Sequence, residues 1–402
     1  MGRLSTVEAV EKTGSSQALS RAVFLVPAGI AMLAGVNAAL TLVGVDAPVE
    51  AARTGDLHGM LMVGGFLGTL IALERAVALR HRLGFAAPLL LGLGGIALLT
   101  PLPIMVGKLL LFDGAIAFAA VYAALFRRSH DDVVIVEFLG AVCLAIGAFL
   151  WLRVEVPWLL AWLVGFVVLT ICAERVELAR LHMPPTGGRT LVLHSGALTI
   201  TLVMTLLWPD LGARLTGLVI VSLVVWLVRH DVARKTIRAN GLPRFSAASL
   251  LAGYFWLFLA AMTWVIGGAQ LGGNLYDLVV HSTMLGFAIS MVMAHAPVIL
   301  PAVLRRPLPY RPIMWVPLVL MHVGLLIRIL AGDLGQLYTV WQAGSVINIV
   351  ALLLFFVVAF GSSLAGPVAR RPRAKAPAGQ THPRGVPSSP SSSTAAPHRS
   401  VS

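Results

Sequence analysis

Apolar runs long enough to cross a bilayer recur along almost the whole of this 402-residue chain, and they leave it few architectures to choose from. They fall near residues 20–44, 56–79, 86–101, 103–126, 132–152, 157–181, 190–208, 210–230, 245–268, 276–303, 309–331 and 335–363. Runs of this length become helices, because a helix closes its own backbone hydrogen bonds where no water can do so. With 58% hydrophobic and 12% charged residues and a mean hydropathy of +0.89, the chain could not dress a soluble surface. The expected fold class is all-α, a polytopic membrane protein of twelve transmembrane helices, with the division at Pro101 and Pro103 the least sharply marked.

The net charge of +13 could point to nucleic acid, but its distribution argues for membrane topology and no nucleic-acid partner. Arg80 and Arg82, Arg127 and Arg128, Arg180 and Arg189, the run from Arg229 to Arg244, and Arg305, Arg306 and Arg311 occupy alternate connections. The others carry Asp46, Glu50, Asp56, Glu155, Asp210, Asp277 and Asp333. Both termini are expected on the cytoplasmic side of a prokaryotic cytoplasmic (inner) membrane, with the lipid bilayer as the obligatory partner. Residues 1–18 form a polar cytoplasmic segment, with the first helix as an uncleaved signal, and 19–364 form the membrane domain. Residues 365–402 are a basic, Pro- and Ser-rich stretch expected to be a disordered cytoplasmic tail, and its His382 and His398 are assigned no site. Cys143 and Cys172 lie inside apolar runs, with no paired-cysteine metal pattern and no CxxCH, which argues against disulfides and covalent haem.

Two spans open with nearly the same phrase: HGMLMVGGF from His58 and HSTMLGF from His281. A histidine entering a bilayer-length helix is costly without partners, and two at matching depth point to the axial pair of one haem. The bland alternative is a pair of interface histidines bonded to headgroups or loops. Aligning Gly65-Phe66, Gly165-Phe166 and Gly286-Phe287 of the second, sixth and tenth spans places Glu74, Glu174 and His295 at one position. The text IALERAVAL matches ICAERVELA at an offset of one hundred residues. With four helices between copies, the pattern predicts three four-helix arcs related by pseudo-threefold symmetry.

These features resemble the catalytic subunit I of the haem-copper oxidase superfamily, and VVHSTMLGF is similar to the HxHSGxLGW phrase of its C-type (cbb-type) members. The resemblance implies one low-spin haem b ligated by His58 and His281. The family's high-spin haem ligand corresponds to Val279, and the copper ligands expected in the sixth and seventh spans are reduced to His194 near the start of the seventh. The usual binuclear centre is thus not encoded, and the chain resembles a degenerate member similar to the NnrS group of denitrification-associated membrane haem proteins. That likeness implies electron transfer or a redox or nitric-oxide-related role, with a redox partner on the outer (periplasmic) side. Any activity would be that of an oxidoreductase.

Arg328 is the candidate propionate anchor, because guanidinium pairs bidentately with carboxylate, with Arg53 as a second; the alternative for Arg328 is a snorkelling cation. Gly59, Gly64, Gly65 and Gly286 could leave room for a flat macrocycle or serve close helix packing. Glu74, Glu174, His295 and His194 could gather on the cytoplasmic side as a second site for iron, copper or zinc, or relay protons. Equally, Glu74-Arg75 and Glu174-Arg175 could be ion-paired helix ends. His322 is either satisfied by a neighbouring helix or a partner to a centre, and Met60, Met62, Met284, Met291 and Met293 are packing residues or soft copper ligands. Two further functional classes remain open: a twelve-helix secondary transporter with a Glu/His site, and a terminal oxidase or nitric oxide reductase-like enzyme with atypical ligands.

Overall fold

The computed structural model describes residues 23–49 and 54–366. The expectations placed on residues 1–18, Arg53, the tail, His382 and His398 lie outside the described residues. Within them every regular element is helical: α1 (Leu25–Val43), α2 (Gly55–Leu79), α3 (Ala86–Ala97), α4 (Ile104–Ser129), α5 (Asp132–Trp151), α6 (Val156–Leu178), α7 (Gly187–Leu207), α8 (Pro209–His230), α9 (Leu242–Gly267), α10 (Gly273–Val303), α11 (Pro312–Asp333) and α12 (Tyr338–Leu364).

Eleven of these are long and apolar enough to span a membrane, and α3 is the exception. Its twelve residues reach about 18 Å, well short of a hydrocarbon core of about 30 Å. The run expected to reach residue 101 loses its helix after Ala97, ahead of the Thr100-Pro101-Leu102-Pro103 stretch. A residue before proline is pushed out of the helical region, and α4 then restarts with Pro103 as its extended N-cap.

Contacts between helix ends sort the connections onto two faces. On one, Tyr338 and Gln342 of α12 donate to the Val43 carbonyl of α1, Arg214 of α8 to Val265 and Ile266 of α9, and Asn274 of α10 to the Asp333 carbonyl of α11. On the other, Arg128 of α4 donates to Ala78 and Leu79 at the end of α2, and Arg180 pairs with Asp131 before α5. The first face carries the acidic connections and the second the basic ones. Lys108, a cation on the acidic face, is held there by the Trp151 carbonyl and ring.

The three helices bearing the Gly-Phe repeat are the most enclosed. In α2, α6 and α10, 72%, 72% and 61% of the apolar span is buried inside the protein, against 28–56% for the others. Close approach rests on small residues. Gly65 of α2 faces Gly95 of α3, and a Cβ at Gly114 of α4 would lie 2.7 Å from the Leu91 backbone nitrogen of α3. Gly196 of α7 has nothing near it. Gly114→Ala should therefore destabilise the protein by about 1–3 kcal/mol, while Gly196→Ala leaves the thermal transition in detergent unchanged or slightly raised.

Candidate functional site

Polar side chains in the interior gather in two places, one toward each face. Toward the acidic face, α2 and α10 share an irregularity: each passes through eight residues of π-helix, Leu61–Gly68 and Ser282–Ile289. Gly65-Phe66 and Gly286-Phe287 take the fifth and sixth places of these segments. Both end alike, with the Thr69 and Ser290 N–H groups donating to the Phe66 and Phe287 carbonyls. The register drawn from sequence is thus also a register of backbone geometry, of a kind that often marks functional sites. The equivalent Gly165-Phe166 of α6 lies in regular α-helix.

His58 and His281 precede the two π-segments. His58 Nδ1 donates to the Gly35 carbonyl of α1 at 2.8 Å. His281 Nδ1 lies 3.0 Å from Asp277 Oδ1 and 3.1 Å from the Asp277 carbonyl. Carbonyl and carboxylate oxygens only accept, so both Nδ1 atoms carry the proton and both Nε2 atoms remain as the free ring positions. The rings lie within electrostatic reach of one another, and His58 also feels Arg328 and Asp277. The fold therefore brings His58, His281 and Arg328 together from α2, α10 and α11.

Asp277 organises this end. It accepts from Arg328 Nε at 2.8 Å and Nη2 at 2.6 Å, from Trp341 Nε1 at 3.1 Å, and from His281. Arg328, within a third π-segment (Ile327–Asp333), is buried and lies over the Trp341 ring. It is no snorkelling cation, and the propionate-anchor expectation needs amending as well: its guanidinium is already paired bidentately with Asp277. Of the two readings of the glycines, the contacts fit close helix packing: Gly65 is packed on Gly95 and Ala31, Gly64 on Leu111, Gly59 on Val156, and Gly286 on the Trp256 ring. His322 Nδ1 accepts from Trp256 Nε1 of that neighbouring helix at 2.9 Å, while its Nε2 is buried with no hydrogen-bond partner. Val279 is fully buried in the apolar core.

Toward the basic face, Arg75 of α2 stands among four carboxylates: Glu74 at 3.2 Å, Glu137 of α5 at 3.3 Å, and Glu174 and Glu177 of α6 at 3.2 Å each. The expected Glu174-Arg175 pair does not form, because Arg175 turns to Asp231 with two contacts of 2.6 Å. Asp231 also accepts from Tyr254 Oη and the Ala233 N–H. Glu74, Glu174 and His295 line one cavity of about 110 Å³, otherwise walled by side chains such as Leu70, Met291 and Leu300. The repeat-equivalent residues therefore do meet. His194 does not join them: its Nδ1 donates to Thr190 and its Nε2 accepts from Ser222 on α8. Among the described residues no group of three or more His, Cys, Asp or Glu is arranged to hold a metal ion.

Sequence reasoning passed over Glu137, although an acid inside VVIVEFLGAV is a strong signal in a membrane span. It also took Asp277 for a loop charge, although its spacing of four residues from His281 places both on one helix face.

The chain belongs to a family described as a domain of unknown function (DUF8744), whose model matches residues 21–364. Neither curated proteins nor solved structures give a match, so the likeness to haem-copper oxidases rests on the motifs alone.

Asp231, in the connection after α8, offers a direct test of the basic-face network. Burial alone would raise its pKa, but the hydrogen bonds and charge of Arg175, with those of Ala233 and Tyr254, hold it below the ordinary 3.8. A carboxylate with a depressed folded pKa contributes stability fully present above its ordinary value and lost as pH falls through the folded one. Asp231→Asn leaves Arg175 buried without its counter-charge and should cost about 3–5 kcal/mol at neutral pH. Thermal unfolding in detergent should show that loss at pH 7, with a smaller difference from the parent chain below about pH 3.8.

Proposed function

We propose that this chain is an integral membrane haem b protein in which His58 and His281 supply the two axial ligands of one low-spin haem near the acidic face. The observation that carries this reading is the pair itself. Two imidazoles from helices more than two hundred residues apart in sequence sit within reach of each other's charge, each with Nδ1 tied to an oxygen acceptor. Iron-ligating histidines are oriented in this way, by a hydrogen bond from the second ring nitrogen. The donor set fits the group. Asp277 fixes the His281 ring, Gly35 fixes the His58 ring, and Arg328 balances the Asp277 charge beside them.

A bis-histidine haem supplies one-electron transfer without an open iron position, which favours an electron-transfer or redox-related role over turnover of oxygen. The buried aliphatic Val279 and the engagement of His194 by Ser222 weigh in the same direction. In this reading α3 is the short member of a twelve-helix set, and the three arcs each contribute one enclosed helix, α2, α6 and α10. The basic face is cytoplasmic in a prokaryotic inner membrane, both termini lie on that side, and a redox partner docks opposite, where the histidines are. The link to nitric oxide follows from the NnrS-like motifs and is the outermost step of the proposal.

Absorption spectra of the purified protein, oxidised and dithionite-reduced, test the ligation. Sharp α and β bands of a six-coordinate b haem should appear on reduction and vanish in both His58→Ala and His281→Ala. A colourless protein from a haem-replete host would refute the assignment. Sidedness is tested separately in a background lacking the buried Cys143 and Cys172. A cysteine replacing Asp46 should react with a membrane-impermeant maleimide in intact cells with a permeable outer envelope, and one replacing Ser129 only after lysis.

A further inference from the structure

The basic-face cluster plays no part in that reading, and its charges do not balance. One guanidinium, Arg75, faces the carboxylates of Glu74, Glu137, Glu174 and Glu177, so four ionised acids would leave three negative charges uncompensated. Arg175 offers no relief, being held by Asp231. Arg180 is likewise taken by Asp131, the other acid near Glu137. Tyr122 of α4 adds no cation. Such an excess inside a protein, among apolar helices, is relieved by protons or by a bound cation.

Geometry separates the two. Glu74 Oε1 and Glu174 Oε2 both lie 3.2 Å from the same Arg75 Nη2, so the two carboxyls crowd one nitrogen and repel unless a proton is shared between them. Glu137 is 1% exposed at its side chain, and neither of its oxygens has a hydrogen-bond partner. On the cavity side, His295 is 8% exposed with Nε2 unpartnered, facing Glu174, Arg175 and Asp231 from α10. A metal would need several of these donors around one point, and they are not so arranged. Glu177, by contrast, is 47% exposed and connects the group to water at the end of α6.

We infer that Glu74, Glu174 and Glu137 form a proton-binding site, with one proton shared between Glu74 and Glu174 and a second on Glu137. It is loaded through Glu177 from the basic face and communicates with the cavity at His295. His58 and His281 are sixteen and fourteen residues from Glu74 and His295 along their helices, or about 24 and 21 Å, so this site is separate from the histidine pair.

The test is an infrared titration of the full chain in lipid nanodiscs. Asp333→Asn serves as background, because Asp277 and Asp333 are a second pair of adjoining carboxyls. At pH 7 the spectrum should show carbonyl stretches of protonated carboxylic acids that shift in heavy water and disappear on alkaline titration. Glu137→Gln and Glu174→Gln should each remove a distinct component, while the exposed Glu155→Gln removes none. Three results would overturn the proposal: no protonated-carboxyl band at pH 7, a band that survives both substitutions, or one tightly bound metal ion per chain that is lost in Glu174→Gln. The unsubstituted Glu cluster already decides the first of these, so the test stands even where a variant folds poorly. No readout involves haem, so its failure and that of the haem assignment are distinguishable.

Discussion

An ionisable side chain cannot face hydrocarbon without a partner, and that constraint arranges this molecule. The helices carrying the largest share of inward charges and imidazoles, α2, α6 and α10, are those withdrawn furthest from the lipid, and the remaining spans surround them. Glu137 and Arg328, on α5 and α11, point toward the same interior rather than outward. The polar groups are then grouped by height. Those near the start of α2 and α10 meet at the acidic face around Asp277, and those near the end of α2 and α6 meet at the basic face around Arg75.

The two groups differ in their balance of donors and acids. Around Asp277, Arg328, Trp341 and His281 all donate to one carboxylate, while Oδ2 of the adjoining Asp333 is buried without a partner. Around Arg75 the acids outnumber the base, and Glu137 and His295 have buried atoms with no partner. Several donors on one carboxylate fix a ring's orientation, whereas acids in excess of their base are prone to take up protons. The π-segments fall at the same register of α2 and α10, directly after the histidine-bearing turns.

Much of this was legible in the chain. Length and apolarity marked the eleven helices long enough to span a membrane, and at 86–101 a further run whose helix stops at Ala97, ahead of the prolines. The Gly-Phe register put Glu74, Glu174 and His295 at equivalent positions, and in the structure the three line one cavity. The glycines were less readable. A glycine in an apolar helix announces close approach without saying of what, and here it is of Gly95, Leu111, Val156 and Trp256.

The sequence by itself determined that the chain crosses the membrane repeatedly as helices, which connections share a face, and that histidines enter two spans at similar depth. These follow from segment length, backbone hydrogen bonding and charge alternation, which are local properties. Tertiary structure alone decided the partners: that Arg75 takes Glu74, Glu137, Glu174 and Glu177, that Arg175 passes over Glu174 for Asp231, that Asp277 holds both His281 and Arg328, and that His194 stays outside. Pairing depends on the rotation and mutual height of helices far apart in sequence. No one-dimensional pattern records that geometry.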